Sequence, residues 1–165
     1  MLVKIGKRYS FDAAHQLKEH QGKCANVHGH TYTVEVWVKG AQLTNNESWR
    51  PFKSYPGYKT DETMVMDYFD LDAIVKPIIE QLDHSFLSAN LSEPVFDLDT
   101  IDIDKALGNV VELPIARTTA EELSVWLWKR IATKLKDWKN IQLLGIVVSE
   151  TPKTFAEYIG EVPYG

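Results

Sequence analysis

Hydrophobic and polar residues alternate along residues 28–39, which have the sequence HGHTYTVEVWVK. Even positions carry His28, His30, Tyr32 and three valines, whereas most odd positions carry glycine, threonine, glutamate or lysine. A period of two is that of a β-strand, whose successive side chains point to opposite faces of a sheet. The pattern therefore predicts a strand that presents both histidines on one face, at the end of a row of valines.

Three more segments have the composition of strands. Residues 2–15 are rich in β-branched and aromatic residues and end at His15, and residues 64–68, MVMDY, resemble a short strand. Residues 141–150 form an almost wholly apolar run that ends on Glu150, which is typical of a buried strand. We expect residues 151–161 to pair with this strand as a hairpin.

Two segments show the spacing of helices. Apolar residues recur at every third or fourth position in residues 70–82, where Pro77 is expected to kink the helix. Residues 119–137 show the same spacing, and Thr119 and Glu122 form a capping-box motif at their start. The chain contains no repeating strand–helix unit, so this order of elements predicts an α+β fold with an antiparallel sheet and helices on one face.

Length and composition indicate one domain. The chain has 165 residues, of which 44% are hydrophobic and 25% charged, as in an ordinary globular domain. We therefore interpret residues 1–165 as a single domain with long irregular insertions at about 41–62 and 91–116. We expect the second insertion to form solvated turns or short strands.

Charge and hydropathy narrow the class of partner. The formal net charge is −5 and the basic residues are scattered, which argues against nucleic acid or an anionic membrane as partner. No apolar run reaches the ~20 residues that span a bilayer, and the first residues lack a secretion signal, so we expect a cytoplasmic protein. A single cysteine cannot form an internal disulfide. The expected partner is a small molecule or another copy of the chain.

The stretch CANVHGH, residues 24–30, combines that cysteine with two histidines. If residues 2–15 pair with residues 28–39, His15 lies beside His28 and His30, and three imidazoles with an open fourth position are typical of a catalytic zinc site. Cys24 is either a fourth ligand, which would close a structural site, or a free acid–base thiolate. Ordinary histidines without metal remain the alternative, and His20 is interpreted as solvated.

Two other positions are candidates for chemistry. Asp83 and His84 follow the first predicted helix, where they could activate a thiol or could simply end the helix with a favourable charge. Glu150 could bind an amide edge of a ligand with both carboxylate oxygens, or could mark the point at which the strand enters water. The sequence pattern alone leaves each pair of alternatives open.

Six segments match family motifs in the order that one family has them: FDAAH, CANVHGH, MVMDY, LDHSFL, TTAEEL and SETPKTFAEY. Through these motifs the chain resembles the family of 6-pyruvoyl-tetrahydropterin and 6-carboxy-tetrahydropterin synthases. Mainly the segments 41–62 and 91–116 remain unmatched. The family often has proline at the position of Thr118 and glycine at that of Thr63.

The resemblance implies a fold and an assembly. The family fold is the tunnelling fold, or T-fold, a four-stranded antiparallel sheet with two helices on one face. Its members assemble into barrels, usually hexamers with active sites at subunit interfaces. We therefore expect this chain to form a homo-oligomer.

The resemblance also implies roles for single residues. His15, His28 and His30 become zinc ligands, and Cys24 becomes the catalytic thiol. Asp83 and His84 become its relay partners and are expected to come from a neighbouring subunit. Glu150 becomes the residue that binds the amino-pyrimidinone edge of a pterin, with three residues nearby: Thr118, Thr119 and Glu121.

The implied reaction is zinc-dependent conversion of 7,8-dihydroneopterin triphosphate to 6-carboxy-5,6,7,8-tetrahydropterin, acetaldehyde and triphosphate, in queuosine or deazapurine synthesis. The three residues between Cys24 and HGH resemble this carboxy branch more than the pyruvoyl branch, which eliminates triphosphate from the same substrate. Candidate triphosphate ligands are Lys18, Lys23 and Arg117. A non-catalytic zinc or pterin-binding module is a second alternative.

A cupin-like metal protein is a third alternative. Residues 22–35 partly match a first cupin motif, but Glu35 has the opposite strand parity from both histidines of HGH. No histidine follows His84 to supply the second motif. The cupin interpretation is therefore disfavoured.

Overall fold

The computed structural model of the protein describes residues 2–41, 64–89, 109–138 and 141–160. These residues form one six-stranded sheet, two α-helices and a short 3-10 turn at Lys23–Ala25. The strands are β1 (Leu2–His15), β2 (His28–Ala41), β3 (Ser85–Ala89), β4 (Asn109–Leu113), β5 (Ile141–Thr151) and β6 (Thr154–Tyr158). The helices are α1 (Tyr68–Glu80) and α2 (Ala120–Leu135).

The sheet has the strand order β4-β3-β1-β2-β5-β6. Strands β1, β2, β5 and β6 form an antiparallel set, in which β1 and β2 pair over their whole length. β3 lies parallel to β1, and β4 lies parallel to β3. The prediction of four antiparallel strands was therefore wrong in number and, at one edge, in direction.

The two additional strands, β3 and β4, have five residues each and no predicted hairpin partner next to them in the sequence. β3 is buried at four of its five positions, so it shows no alternation of polar and apolar residues. β4 lies within the segment 91–116, where turns or short strands were expected. The remainder of that insertion and the insertion at 41–62 lie outside the described residues.

Residues 64–68 are not a strand. They lead through bends into α1, and the Asp67 carboxylate caps this helix by accepting a hydrogen bond of 2.9 Å from the Phe69 N–H. Val65 and Met66 are buried in the core, which explains the apolar character of the segment. α2 begins after Thr119, whose hydroxyl accepts a 3.5 Å hydrogen bond from the Glu122 N–H, as the capping motif predicts.

Both helices cover the same face of the sheet. The core contains one side of α1 and one side of α2, packed on the odd positions of β1 from Tyr9 onward and the even positions of β2 from Tyr32 onward. We call this side of the sheet the helix face. The opposite side, the open face, carries exposed or half-buried residues, among them Arg8, Asp12, Thr31 and Glu35. None of the helices in the described ranges is long and apolar enough to cross a membrane.

Candidate active site

Three histidines meet at one end of the helix face. In the β1–β2 ladder His15 pairs with His28, and Ala13 pairs with His30. One potential ligand atom from each of the three histidines lies within 4.8 Å of the other two. The Nε2 atoms of His15 and His28 are 3.1 Å apart, close to the ~3.3 Å expected for two imidazoles on one tetrahedral zinc. The predicted convergence of these three residues is confirmed.

The hydrogen bonds on the far side of two rings fix their protonation. His15 Nδ1 lies 2.7 Å from the carbonyl oxygen of Thr118, and His28 Nδ1 lies 2.8 Å from that of Asn26. A carbonyl oxygen only accepts hydrogen bonds, so Nδ1 of each ring carries a proton, and in the neutral form of the ring Nε2 is the nitrogen with the lone pair. A metal ion between the two Nε2 atoms, which lie 3.1 Å apart, would accept both lone pairs. This arrangement fits a metal ion.

Burial keeps His15 neutral. The side chain is 1% exposed, and this burial, together with the neighbouring histidines, lowers the pKa of His15 to about 4 against the opposing effect of the Thr118 hydrogen bond. Thr118 is itself buried and also offers its hydroxyl oxygen, 3.2 Å from the same Nδ1. Backbone support of this kind orients a metal-binding imidazole. Thr118 therefore contacts the Nδ1 side of His15, opposite the nitrogen that would bind a metal.

Cys24 lies in the 3-10 turn between β1 and β2, where it is half-buried. Three consecutive carbonyl groups hold this turn against the strands. The Leu17 N–H donates to the Cys24 carbonyl at 2.9 Å, and the Gln16 side chain donates to the Ala25 carbonyl at 2.7 Å. The Asn26 carbonyl accepts a hydrogen bond from the His28 Nδ1–H group. The Cys24 sulfur is not part of the group of ligand atoms formed by the histidines.

Asp83 and His84 form an ion pair in the turn between α1 and β3. His84 Nδ1 lies 2.8 Å from one Asp83 oxygen, and the other oxygen accepts a 2.8 Å hydrogen bond from the Asp12 N–H. The hydrogen bond from Asp12 and the neighbouring imidazole lower the pKa of Asp83. The hydrogen bond to Asp83 and its charge raise the pKa of His84. The pair therefore favours an ionised carboxylate beside a protonated ring.

Among the described residues, the pair forms no hydrogen bond or ion pair with the histidine cluster of its own chain. His84 lines a shallow depression together with His30 and with Asp12 and Thr31 of the open face, and its side chain is 79% exposed. His84 also has a φ of +54°, and its N–H donates to the Asp12 carbonyl at 2.7 Å. No hydrogen bond or ion pair within the described ranges joins Asp83 or His84 to Cys24.

Glu150 lies on β5, half-buried, in the wall of a cavity of about 900 Å³ that is lined by His30 and by open-face residues such as Arg8, Thr31 and Glu35. Thr119 uses its hydroxyl to cap α2, and Glu121 is exposed in the first turn of that helix. Lys18 and Arg117 line a second cavity of about 550 Å³, beside Thr118. Arg117 also contacts Glu19 at 3.1 Å.

Two polar residues of the site were missed by sequence analysis. Gln16 directly follows His15 and holds the turn that carries Cys24. Tyr32 follows His30 on the helix face, where its hydroxyl is buried. The alternation that revealed the histidines also places Tyr32 on their face, but an amide or hydroxyl that acts through tertiary contacts leaves no mark in a hydropathy pattern.

The fold and the site together define an α+β protein of the T-fold type, with a curled sheet, two helices and a candidate three-histidine metal site. The sequence model of the 6-pyruvoyl tetrahydropterin synthase family matches residues 4–161. The chain belongs to this family and is an enzyme of the lyase type.

Curated relatives match along nearly the whole chain. The 6-carboxy-5,6,7,8-tetrahydropterin synthase of Haemophilus influenzae is 36% identical over 158 residues, which cover 95% of this chain and 99% of the relative. The 6-pyruvoyl tetrahydrobiopterin synthase of Dictyostelium discoideum is 29% identical over 170 residues, covering 96% and 97% of the two chains.

Solved structures support the fold. The 6-pyruvoyl tetrahydropterin synthase of Caenorhabditis elegans superposes with a TM-score of 0.64 at 20% identity, and the match covers 98% of this chain and 97% of that one. The Plasmodium vivax enzyme of the same name gives a TM-score of 0.66 at 19% identity, over 96% and 97% of the two chains.

Proposed function

We propose that this enzyme uses zinc to convert 7,8-dihydroneopterin triphosphate and water into 6-carboxy-5,6,7,8-tetrahydropterin, acetaldehyde and triphosphate, for queuosine or deazapurine synthesis. The observation that carries the proposal is the convergence of three imidazole ligand atoms beside a cavity that Glu150 lines. The 36% identity to a 6-carboxy-5,6,7,8-tetrahydropterin synthase supports the carboxy branch, as does the spacing of CANVHGH.

The donor set fits zinc. His15, His28 and His30 would hold the ion, because neutral imidazole nitrogens are ordinary zinc ligands and two of them have carbonyl oxygens behind them. Bound zinc would supply Lewis-acid polarisation of the substrate's side-chain oxygen atoms, which lowers the barrier to proton removal. A fourth protein ligand is absent from the cluster of described residues, which leaves room for a substrate.

Cys24 would move protons between the side chain and the ring of the substrate. The three carbonyl contacts hold its turn next to the zinc ligands, so that a thiolate there could act as acid–base group. Asp83 and His84 would relay further protons. Because the His84 side chain is 79% exposed in the single chain, the pair would serve the histidine cluster of a neighbouring subunit in a homo-oligomer, with a hexameric barrel as the expected assembly.

Glu150 would bind the pterin. An ionised carboxylate accepts two parallel N–H donors, and the amino-pyrimidinone edge of a pterin offers such a pair. Thr118, Thr119 and Glu121 lie at the start of α2 and would line the same end of the pocket. The cavity beside Thr118, with Lys18 and Arg117 in its wall, would accept the negatively charged triphosphate.

A 6-pyruvoyl product is the second candidate. The 29% identity to the Dictyostelium discoideum 6-pyruvoyl tetrahydrobiopterin synthase extends over almost the whole chain and supports it. The two reactions share the substrate and the loss of triphosphate, but only the carboxy branch also breaks a carbon–carbon bond and releases acetaldehyde.

Product analysis separates these candidates. The zinc-loaded protein is incubated with 7,8-dihydroneopterin triphosphate while acetaldehyde and the mass of the pterin are followed together. We expect one acetaldehyde for each 6-carboxy product. A 6-pyruvoyl product without acetaldehyde would assign the enzyme to the other branch. Absence of turnover by zinc-loaded protein would favour a non-catalytic zinc or pterin-binding module.

The Cys24→Ala variant is the matched control for that measurement. The proposal expects it to retain zinc and lose turnover, because the thiol lies outside the histidine cluster. Loss of zinc in this variant would instead identify the thiol as a fourth ligand of a structural site.

A further inference from the structure

Gln16 ties the turn that carries Cys24 to the end of β1. Its side-chain amide nitrogen donates a 2.7 Å hydrogen bond to the Ala25 carbonyl, and the N–H of the next residue, Leu17, donates to the Cys24 carbonyl at 2.9 Å. Gln16 directly follows His15, the last residue of β1. Two consecutive residues after a candidate zinc ligand are therefore bonded to two consecutive residues of the turn.

Only one end of the Gln16 amide group is paired. A carbonyl oxygen only accepts hydrogen bonds, so the amide nitrogen faces Ala25 and the other amide atom is the oxygen, Oε1. Oε1 is buried and has no hydrogen-bond partner among the described residues. The cost of this unpaired acceptor offsets the gain from the hydrogen bond, so we expect Gln16 to contribute little to the free energy of unfolding. A buried polar group of this kind calls for a functional explanation.

We propose that Gln16 is a positioning residue, whose hydrogen bond to the Ala25 carbonyl keeps the Cys24 thiol where it can exchange protons with the substrate. The inference rests on the proposed function, since that function makes Cys24 the acid–base group. Residues 18–23 of the same loop are exposed, so the loop offers little packing to fix the turn. Proton transfer requires the two atoms to lie within hydrogen-bond reach, and a misplacement of about 1 Å can cost about a hundredfold in rate.

Three variants separate the hydrogen bond from the shape of the side chain. Gln16→Met keeps an unbranched side chain of similar length but removes the donor, and Gln16→Lys provides a different donor for the carbonyl. His20→Ala is the matched control in the same loop. The His20 Nδ1 accepts a 2.9 Å hydrogen bond from the Gly22 N–H, which lies within the loop and does not tie it to a strand.

The measurements follow catalysis and the attachment of the turn separately. We measure kcat and KM of the zinc-loaded proteins with 7,8-dihydroneopterin triphosphate, together with zinc content and Tm. Hydrogen exchange of the Leu17 amide, which donates to Cys24, reports how firmly the turn is held without any need for turnover.

Gln16→Met should lower kcat about tenfold or more, leave KM within about twofold of wild type, and retain zinc. Its Leu17 amide should exchange about tenfold faster, because the adjacent attachment of the turn is lost. Tm should change little, since the unpaired Oε1 disappears together with the hydrogen bond. Gln16→Lys should restore kcat to within about threefold of wild type, and His20→Ala should keep wild-type kcat, KM and exchange.

Four results would overturn the inference. A fall in Tm with unchanged kcat would show a purely structural role, and loss of zinc would show that Gln16 acts on His15. A rise in KM alone would show contact with the substrate, because Gln16 also lines the cavity of Lys18 and Arg117. A lower kcat with unchanged exchange of the Leu17 amide would show that Gln16 does not act through the turn.

A double-mutant cycle identifies Cys24 as the group that Gln16 positions. In a Cys24→Ala background, Gln16→Met should reduce the remaining turnover by no more than about twofold, and an undiminished effect there would overturn the inference. Absence of turnover by the wild-type protein, or full turnover by Cys24→Ala, would refute the proposed role of the thiol and the inference with it. An inactive Cys24→Ala variant beside a fully active Gln16→Met variant would refute the inference alone.

Discussion

His15 and His28 face each other across the β1–β2 ladder with their Nε2 atoms 3.1 Å apart, and both rings direct Nδ1 at a backbone carbonyl. Each carbonyl accepts a hydrogen bond from the Nδ1–H group of its ring, so Nε2 of the neutral ring is the nitrogen that can coordinate a metal. The β1–β2 ladder and the Thr118 carbonyl orient the rings so that a bound cation would be coordinated by both Nε2 atoms.

Removal of the metal should therefore destabilise the protein. We expect one zinc per chain after purification, and a loss of about 4 kcal/mol in the free energy of unfolding on chelation when free zinc had been at 1,000 times its Kd. Metal analysis and chemical unfolding with and without chelator measure both quantities. His28→Ala should lose the zinc, whereas His20→Ala, which changes an exposed loop residue, should retain it. Full stability of the chelated protein would contradict a resident metal.

If Cys24 and His84 act at one site from two different subunits, as proposed, variants of the two residues should complement each other. Cys24→Ala and His84→Ala should each be inactive, but a refolded equal mixture should recover about a quarter of the wild-type activity, because a site is intact only when its thiol and its imidazole come from different, complementary chains. Turnover of the mixed oligomer measures this recovery.

A second pair of variants serves as the control for complementation. Cys24→Ala mixed with His28→Ala should stay inactive, since both changes affect the part of the site that one chain supplies. An inactive mixture of Cys24→Ala with His84→Ala would show instead that Cys24 and His84 must belong to the same chain.

The opposite pKa shifts of Asp83 and His84 predict the pH range in which their ion pair stabilises the protein. The pKa of Asp83 is lowered, so its contribution to stability is present above the ordinary carboxyl pKa and is lost as the pH falls through the lowered value. The pKa of His84 is raised, so its contribution is complete below the ordinary imidazole pKa and is lost as the pH rises through the raised value. The pair is therefore intact in mildly acidic solution and weakens above neutrality.

NMR titration of the imidazole signals tests this prediction. The pKa of His84 should lie above the ordinary value of about 6.5, and Asp83→Asn should lower it. Asp12→Asn should lower it less, because Asp12 acts on the ring through its charge alone and not through a hydrogen bond. An unshifted His84 in the wild-type protein would contradict the ion pair.

The sequence pattern predicted those strands and helices whose formation depends on residues that are near one another in the sequence. β2 and both helices follow from periodicity, because each has a polar and an apolar side, and β1 and β5 follow from their β-branched, aromatic or almost wholly apolar composition. The histidine cluster followed from two such strands, since pairing of β1 with β2 was enough to bring His15 to His28. The motifs shared with the family added the order of the elements and the identity of the proposed reacting groups.

Features that depend on distant parts of the chain were not predictable in this way. β3 and β4 are short and take their place from pairing with β1 and with each other, which is a tertiary property. The exposed His84 side chain belongs to a residue with a left-handed backbone, for which a histidine gives no clear sequence signal. The single-domain interpretation and the two insertions stay predictions.

Gly29 lies between the candidate metal ligands His28 and His30, where we expect a larger residue to weaken zinc binding. A Cβ at this position would lie 3.2 Å from the Ala13 carbonyl oxygen, and β1 holds that oxygen in the sheet. A strand glycine of this kind marks a close approach of backbones. Gly29→Ala should push the strands apart where His15 and His28 pair, so we expect a stability loss of about 1 kcal/mol and roughly tenfold weaker zinc binding.

Gly145 on β5 provides the matched control for Gly29. Its Cβ would lie 3.3 Å from the Tyr158 carbonyl oxygen, a nearly equal conflict between paired strands, but Gly145 pairs with Trp37 and not with a residue of the site. Gly145→Ala should therefore lose similar stability and keep its zinc affinity. Calorimetric zinc titration of both variants, with denaturant unfolding, separates the two effects. Equal zinc affinities would mean that the histidine cluster tolerates a wider β1–β2 spacing. Gly29 would then contribute to the stability of the sheet and not to zinc binding.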